Sequence, residues 1–207
     1  MPNSNTADAE RAAKKQTAAI SDRAIDNIQF IRDTMERSSS FTAVPGYGGI
    51  LMGMTAVGAA YFASIRAELH EWLSVWLVEA GLAFAIGLLA MWQKSRIIGT
   101  SLVSTPGKKF ALGFAPPLIA GGVVTLGLFR YGQFEIMMPV WMLCYGASVV
   151  CGGAFSVRIV PVMGWCFMAL GAIALVLPST YGDLMMAASF GILHIVFGAV
   201  IARKYGG

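Results

Sequence analysis

Charge is what this sequence has least of. Only 13% of its 207 residues are Asp, Glu, Lys or Arg, about half the share found in ordinary globular proteins. The shortage is also uneven. Six Lys or Arg and six Asp or Glu precede Val44, whereas uncharged stretches run between Arg37 and Arg66, Lys109 and Arg130, Glu135 and Arg158, Arg158 and Asp183, and Asp183 and Arg203. A sixth stretch, Trp72 to Trp92, is interrupted only by Glu79. Soluble core helices keep a polar face at helical period, and these segments are apolar all round, which excludes a water-soluble fold.

Cysteine and histidine are scarce as well. The three cysteines, Cys144, Cys151 and Cys166, fall inside apolar stretches, where a thiol is a small apolar side chain and no disulfide framework is indicated. The two histidines, His70 and His194, belong to different depths, which excludes haem held between two imidazoles and a zinc hydrolase site. Cys144 and Cys151 lie two turns apart on one helical face, but with His194 they still lack a fourth soft-metal ligand. No nucleophile elbow, phosphate-cradling loop or acid pair within one span is present, so neither an enzyme nor any metal or cofactor is implied.

What the chain does have is apolar length. A spanning helix needs about 20 apolar residues, because it rises about 1.5 Å per residue through a hydrocarbon core of about 30 Å. The expected fold is therefore an all-α membrane protein whose six transmembrane helices form three hairpins, preceded by a cytoplasmic amphipathic helix. The spans are read as Pro45 to Ser64, Trp72 to Trp92, Phe110 to Phe129, Ile136 to Phe155, Ile159 to Leu177 and Leu184 to Ile201. The longest connection is Gln93 to Lys109. Residues 1–44 form the cytoplasmic part and 45–207 the transmembrane domain.

Basic residues are retained in the cytoplasm. No secretory signal opens the polar N-terminus, and with that end inside, thirteen Lys or Arg fall on the cytoplasmic side and only Arg66 and Arg130 opposite, beside Glu68, Glu71, Glu135 and Asp183. The expectation is a multi-pass protein of the plasma (inner) membrane with its N-terminus and C-terminus cytoplasmic. The net charge of +4 is then a topology signal, with no nucleic-acid partner implied.

Residues 1 to 20 lack apolar periodicity and read as a tail. From Ser21, an N-cap candidate, Ile25, Ile28, Ile31 and Met35 recur along one side of a helix that Ser38, Ser39 and Ser40 end. Residues 22 to 37 hold four acids and three bases, whereas helices bound to a lipid surface carry an excess of bases. A protein contact through Ile25, Ile28 and Met35, either with a cytoplasmic partner or with the chain's own loops, suits this stripe better. The stretch Arg32 to Gly53, RDTMERSSSFTAVPGYGGILMG, resembles one found in an uncharacterised bacterial six-span inner-membrane protein family. The resemblance covers about a tenth of the chain and implies a bacterial inner membrane; no functional residue is carried over from it.

Lipid supplies no hydrophobic reason for helices to associate, so close approach at small residues has to. Gly49 and Gly53 form the single GxxxG among 24 glycines, suited to packing within the chain or to a homo-oligomer. A weak repeat is also visible. Prolines stand near the start of each outgoing span (Pro45, Pro116 with Pro117, Pro161), an acid introduces each returning one (Glu71, Glu135, Asp183), and Trp76, Glu79, Gly81 and Gly87 share their spacing with Trp141, Cys144, Gly146 and Gly152.

Glu79 is the most informative residue, because a carboxylate in hydrocarbon costs at least about 2.5 kcal/mol and such groups mark sites or interhelical bonds. It sits one pair of turns inward of Trp72, and His194 three turns inward of Asp183. With Tyr145 they fall at similar depth and form an expected intramembrane polar layer, which Thr55, Thr125, Ser148 and Ser189 could join. The leading functional expectation is a small transporter or channel-like protein for an ion or small solute, in which Glu79, with Tyr145 and His194, lines a polar path or exchanges protons. The alternative is a membrane sensor or scaffold that holds a cytoplasmic partner with its N-terminal helix.

Overall fold

The computed structural model describes Arg23, residues 25–31, Thr34, Met35 and residues 40–206. The chain divides into two compact units, Met1–Ser39 and Ser40–Gly207. In the first, the described residues are helical, Thr34 Oγ1 donates to the Phe30 carbonyl at 2.8 Å, and Ile25, Ile28, Phe30, Ile31 and Met35 are exposed. The expected tail over 1–20, the Ser21 cap and the stop at Ser38 and Ser39 lie outside the described residues.

The second unit is helical throughout its regular structure, with no strand among the described residues. Its helices are α1 (Gly46–Ser64), α2 (Leu69–Ile97), α3 (Thr105–Arg130), α4 (Phe134–Gly153), α5 (Ile159–Ala174) and α6 (Ser179–Tyr205). Helices α2, α3, α4 and α6 are long and apolar enough to cross a membrane. Helix α5 has only 16 residues, and glycines dilute the apolar content of α1.

Local chemistry sets the ends. Pro45 precedes α1 in extended conformation, and the Ser104 side chain caps α3 by accepting from the Gly107 amide at 3.4 Å. Glu71 stands in the first turn of α2 with Lys94 and Arg96 in its last, each opposing the helix dipole. Gly99 and Gly132, both at φ +68°, follow α2 and α3 in the left-handed conformation that only glycine adopts freely. The helices overrun the expected limits. Helix α2 continues five residues past Trp92 and α3 begins five before Phe110, so the expected connection Gln93 to Lys109 shrinks to 98–104, whereas α5 stops at Ala174, short of Leu177 and Pro178.

Contacts identify two ends of the bundle. At one, Trp72 of α2 stacks on Trp141 of α4 with centroids 5.8 Å apart and donates to Asp183 of α6, while His70 meets Phe129 and Phe134. Arg66, Glu68, Glu71, Arg130, Glu135 and Asp183 sit at this acidic end. At the other, the basic end, the start of α1 and the ends of α2 and α6 are joined by Lys94, and Phe41 and Ser156 pair in a single parallel bridge.

Helix α1 packs against α2 and α6, and α4 against α3 and α5; α5 and α6 touch less closely. Glycine makes these approaches possible. A Cβ on Gly53 would lie 2.5 Å from the Gly191 carbonyl oxygen of α6, one on Gly49 3.3 Å from Gly198 Cα, and one on Gly146 2.7 Å from the Gly164 carbonyl oxygen of α5. The opposite faces of α2 and α3 expose Leu77, Val78, Phe84, Leu89, Leu112 and Leu126. So much continuous apolar surface suits acyl chains and would aggregate in water, so the chain has the helices of an integral membrane protein.

Candidate functional site

Polar side chains are rare inside the bundle, and with the exception of the Trp76 indole the buried ones named below are tied to a neighbouring helix or to their own backbone. Glu79, 7% exposed, faces α1, where Thr55 Oγ1 donates to its Oε1 at 2.8 Å. The same hydroxyl lies 2.9 Å from the Met52 carbonyl and 3.3 Å from that of Leu51, so its one proton has three competing acceptors. Tyr145 and His194 meet between α4 and α6, with Oη 2.7 Å from Nε2, and the Nδ1 of His194 lies 2.9 Å from the Phe190 carbonyl. A carbonyl can only accept, so the ring carries its proton on Nδ1; in the neutral ring Nε2 then accepts from the tyrosine hydroxyl.

The backbone prepares this second pair. Residues Ala187–Leu193 of α6 form a π-helical turn, and His194 is the first residue beyond it. Such widened turns recur at functional sites because they displace the groups that follow. An aromatic box closes around the pair: Tyr145 lies 4.9 Å from Phe167, 5.3 Å from Phe190 and 6.1 Å from Phe114 between centroids, and Phe167 is fully buried. A hydrogen-bonded imidazole and phenol in such a dry setting rest as neutral partners, and their bond is strong because no water competes for it.

Among the described residues, no hydrogen bond joins Glu79 to Tyr145 or His194. Glu79 turns toward α1, and the other two meet across α4 and α6. The four hydroxyls named with them divide similarly. Thr55 bonds Glu79; Thr125 accepts the Trp141 indole N–H at 2.7 Å; Ser148 and Ser189 return to backbone carbonyls of their own helices, Cys144 and Met186. Gly49 and Gly53 face α6 of the same chain. Cys144, Cys151 and Cys166 are free thiols, and the described residues contain no group of three metal-ligating side chains.

Two features have no clear mark in the sequence. Lys94 is only 3% exposed, and its ammonium donates to the Val44 carbonyl at 2.9 Å and to the Gly206 carbonyl. Its long stem reaches from α2 to the backbone beside α1 and at the end of α6, which a reading of lysines as loop cations overlooks. Trp76, 4% exposed, has an indole N–H with no hydrogen-bond acceptor. The shared spacing of Trp76 and Trp141 was the only signal pointing to it.

At the acidic end a cleft of about 230 Å³ lies between α2, α4 and the start of α6, lined by Leu69, Trp72, Phe134, Glu135, Thr180 and Asp183 among others. Neutral donors hold its two carboxylates: Trp72 Nε1 bonds Asp183 at 2.8 Å, and Ser179 Oγ bonds Glu135 at 3.2 Å. Among the described residues neither forms an ion pair; Arg66 and Glu71 at the same end pair at 3.6 Å and are largely exposed. No protein-family model, curated protein or solved structure matches the chain.

Proposed function

We propose that this is a six-span protein of the plasma (inner) membrane, with both termini cytoplasmic, that moves protons or a small solute coupled to protons. In this reading α1 and α5 complete three membrane hairpins with the four longer helices, and the basic end is cytoplasmic because basic side chains resist translocation. The observation that carries the functional part is the pair of buried contacts, Glu79 with Thr55 and Tyr145 with His194, the second formed at a π-helical turn. Groups that change protonation are costly inside hydrocarbon, and their persistence there favours a role in moving charge over a role in packing.

Reconstitution in liposomes tests it. A pH gradient or membrane potential should drive proton or cation flux through the purified protein, and Glu79→Gln should remove the flux without altering folding. Flux unchanged in Glu79→Gln, or no flux for any small ion or solute, sinks the reading.

Exposed Ile25, Ile28 and Phe30 favour a second reading, a membrane sensor or scaffold that holds a cytoplasmic protein through its N-terminal helix. Deleting residues 1–39 should then abolish partner co-purification, whereas a transporter keeps its flux. A homo-oligomer is compatible with both.

A further inference from the structure

Trp72, Trp76 and Glu79 lie four and three residues apart, so they form one stripe along α2. The stripe begins at the cleft of the acidic end, where Trp72 lines the wall and bonds Asp183, and ends at the Glu79–Thr55 pair. Between them stands the Trp76 indole N–H, buried and without an acceptor from the protein. A buried donor left unpaired is costly, and native structures almost always give it a partner.

The corresponding tryptophan shows what is missing. Trp141 occupies the same place in the shared spacing, and its N–H is taken by Thr125 at 2.7 Å. Thr55 of α1 instead serves Glu79. The buried cluster around Trp76 includes Ala59, Ala60 and Ala63 with Met137, Met142 and Met186, none of which offers the indole a strong acceptor, and the methionines are the most adaptable of apolar side chains. Trp72 and Phe134, two walls of the cleft, belong to the same cluster.

We infer that a water molecule accepts the Trp76 indole hydrogen bond and belongs to a short file linking the acidic-end cleft to Glu79. An indole N–H only donates, so Trp76 orients the water with its own hydrogens free to point toward the Glu79 carboxylate. A proton entering the file from the cleft leaves the last water for a Glu79 oxygen; the carboxylate becomes a carboxyl and the file is again neutral water. Trp76 is thus a positioning residue for proton entry, a role that rests on the proton-linked reading above, whereas the wet link itself does not.

The test is magnetisation exchange between water and the indole N–H groups of ¹⁵N-tryptophan-labelled protein in lipid nanodiscs, with Trp76→Phe and Trp141→Phe assigning the two signals. Trp76 should exchange with water at least about tenfold faster than Trp141, which its threonine seals. Glu79→Leu, which removes the far anchor of the file, and Thr180→Phe, which fills the cleft, should each slow the Trp76 signal. Exchange at Trp76 no faster than at Trp141 overturns the inference whatever the flux. Fast exchange untouched by both substitutions also overturns it, since the water then comes from elsewhere. Fast exchange that responds to both supports the wet link even where liposomes show no flux, and in that case only the transport reading falls.

Discussion

Helix pairs α1–α2 and α3–α4 share one spacing and differ in what it holds. On α2 it reads Trp76, Glu79, Gly81, Gly87, and on α4 Trp141, Cys144, Gly146, Gly152. Each outgoing partner helix offers a threonine. In α3–α4 that threonine satisfies the tryptophan, and Cys144 makes no demand on it. In α1–α2 it serves Glu79, and the tryptophan goes without. The difference is one of placement: the threonine of α1 stands where it meets the carboxylate, whose desolvation is dearer than that of an indole, and Trp76 lies among apolar side chains such as Ala59, Ala60 and Ala63.

Glycines separate the pairs further. Gly146 is pressed against α5, while a Cβ on Gly81 would meet nothing within 4 Å. Gly146→Leu should therefore cost about 3 kcal/mol or more by forcing α4 from α5, read as a lower unfolding temperature in detergent or as failure to fold. Gly81→Leu, at the same place in the spacing, should cost nothing. Equal losses would break the comparison at its most physical point.

The chemical difference should appear in flux. Glu79→Gln is expected to reduce proton-linked flux on the order of a hundredfold, the scale of losing a proton-transfer group, whereas Cys144→Ala should leave it unchanged. If both variants behave alike, Glu79 is only an interhelical bond. Next in size are the threonines. Thr55→Val and Thr125→Val should each lose about 0.6 kcal/mol, the usual worth of an interhelical hydrogen bond in a bilayer, and only Thr55→Val should also change flux. The smallest effect concerns the tryptophans. Trp141→Phe should destabilise by a similar fraction of a kcal/mol, and Trp76→Phe by less, since its N–H has no protein acceptor to leave unpaired; chemical denaturation of both variants in one detergent decides.

The long apolar stretches made α2, α3, α4 and α6 legible, because length and hydropathy are properties of one segment at a time. Their ends were less legible. Lys94 reads as a loop residue until Val44 and Gly206 are seen to cap its ammonium, and that capping lets α2 run on to Ile97. Depth matching placed Glu79, Tyr145 and His194 at one level, but depth carries no information about azimuth. Which polar group meets which depends on helix adjacency, and α2 lies beside α1 while α4 meets α6 at the π-helical turn. That turn has no signature in the sequence, and neither does an unpaired indole, since pairing belongs to two segments at once.

The contact of Gly53 and Gly49 with Gly191 and Gly198 joins the first long helix to the last. In the six-span reading proposed above, α1 enters the bilayer well over a hundred residues ahead of α6, and until then its glycine face has only lipid beside it. Bundle closure therefore waits for the final helix to leave the insertion machinery. A chain stalled before that point would present a sticky, small-residue surface to any neighbour in the plane of the membrane, which makes quality control of half-finished chains a predictable demand of this architecture.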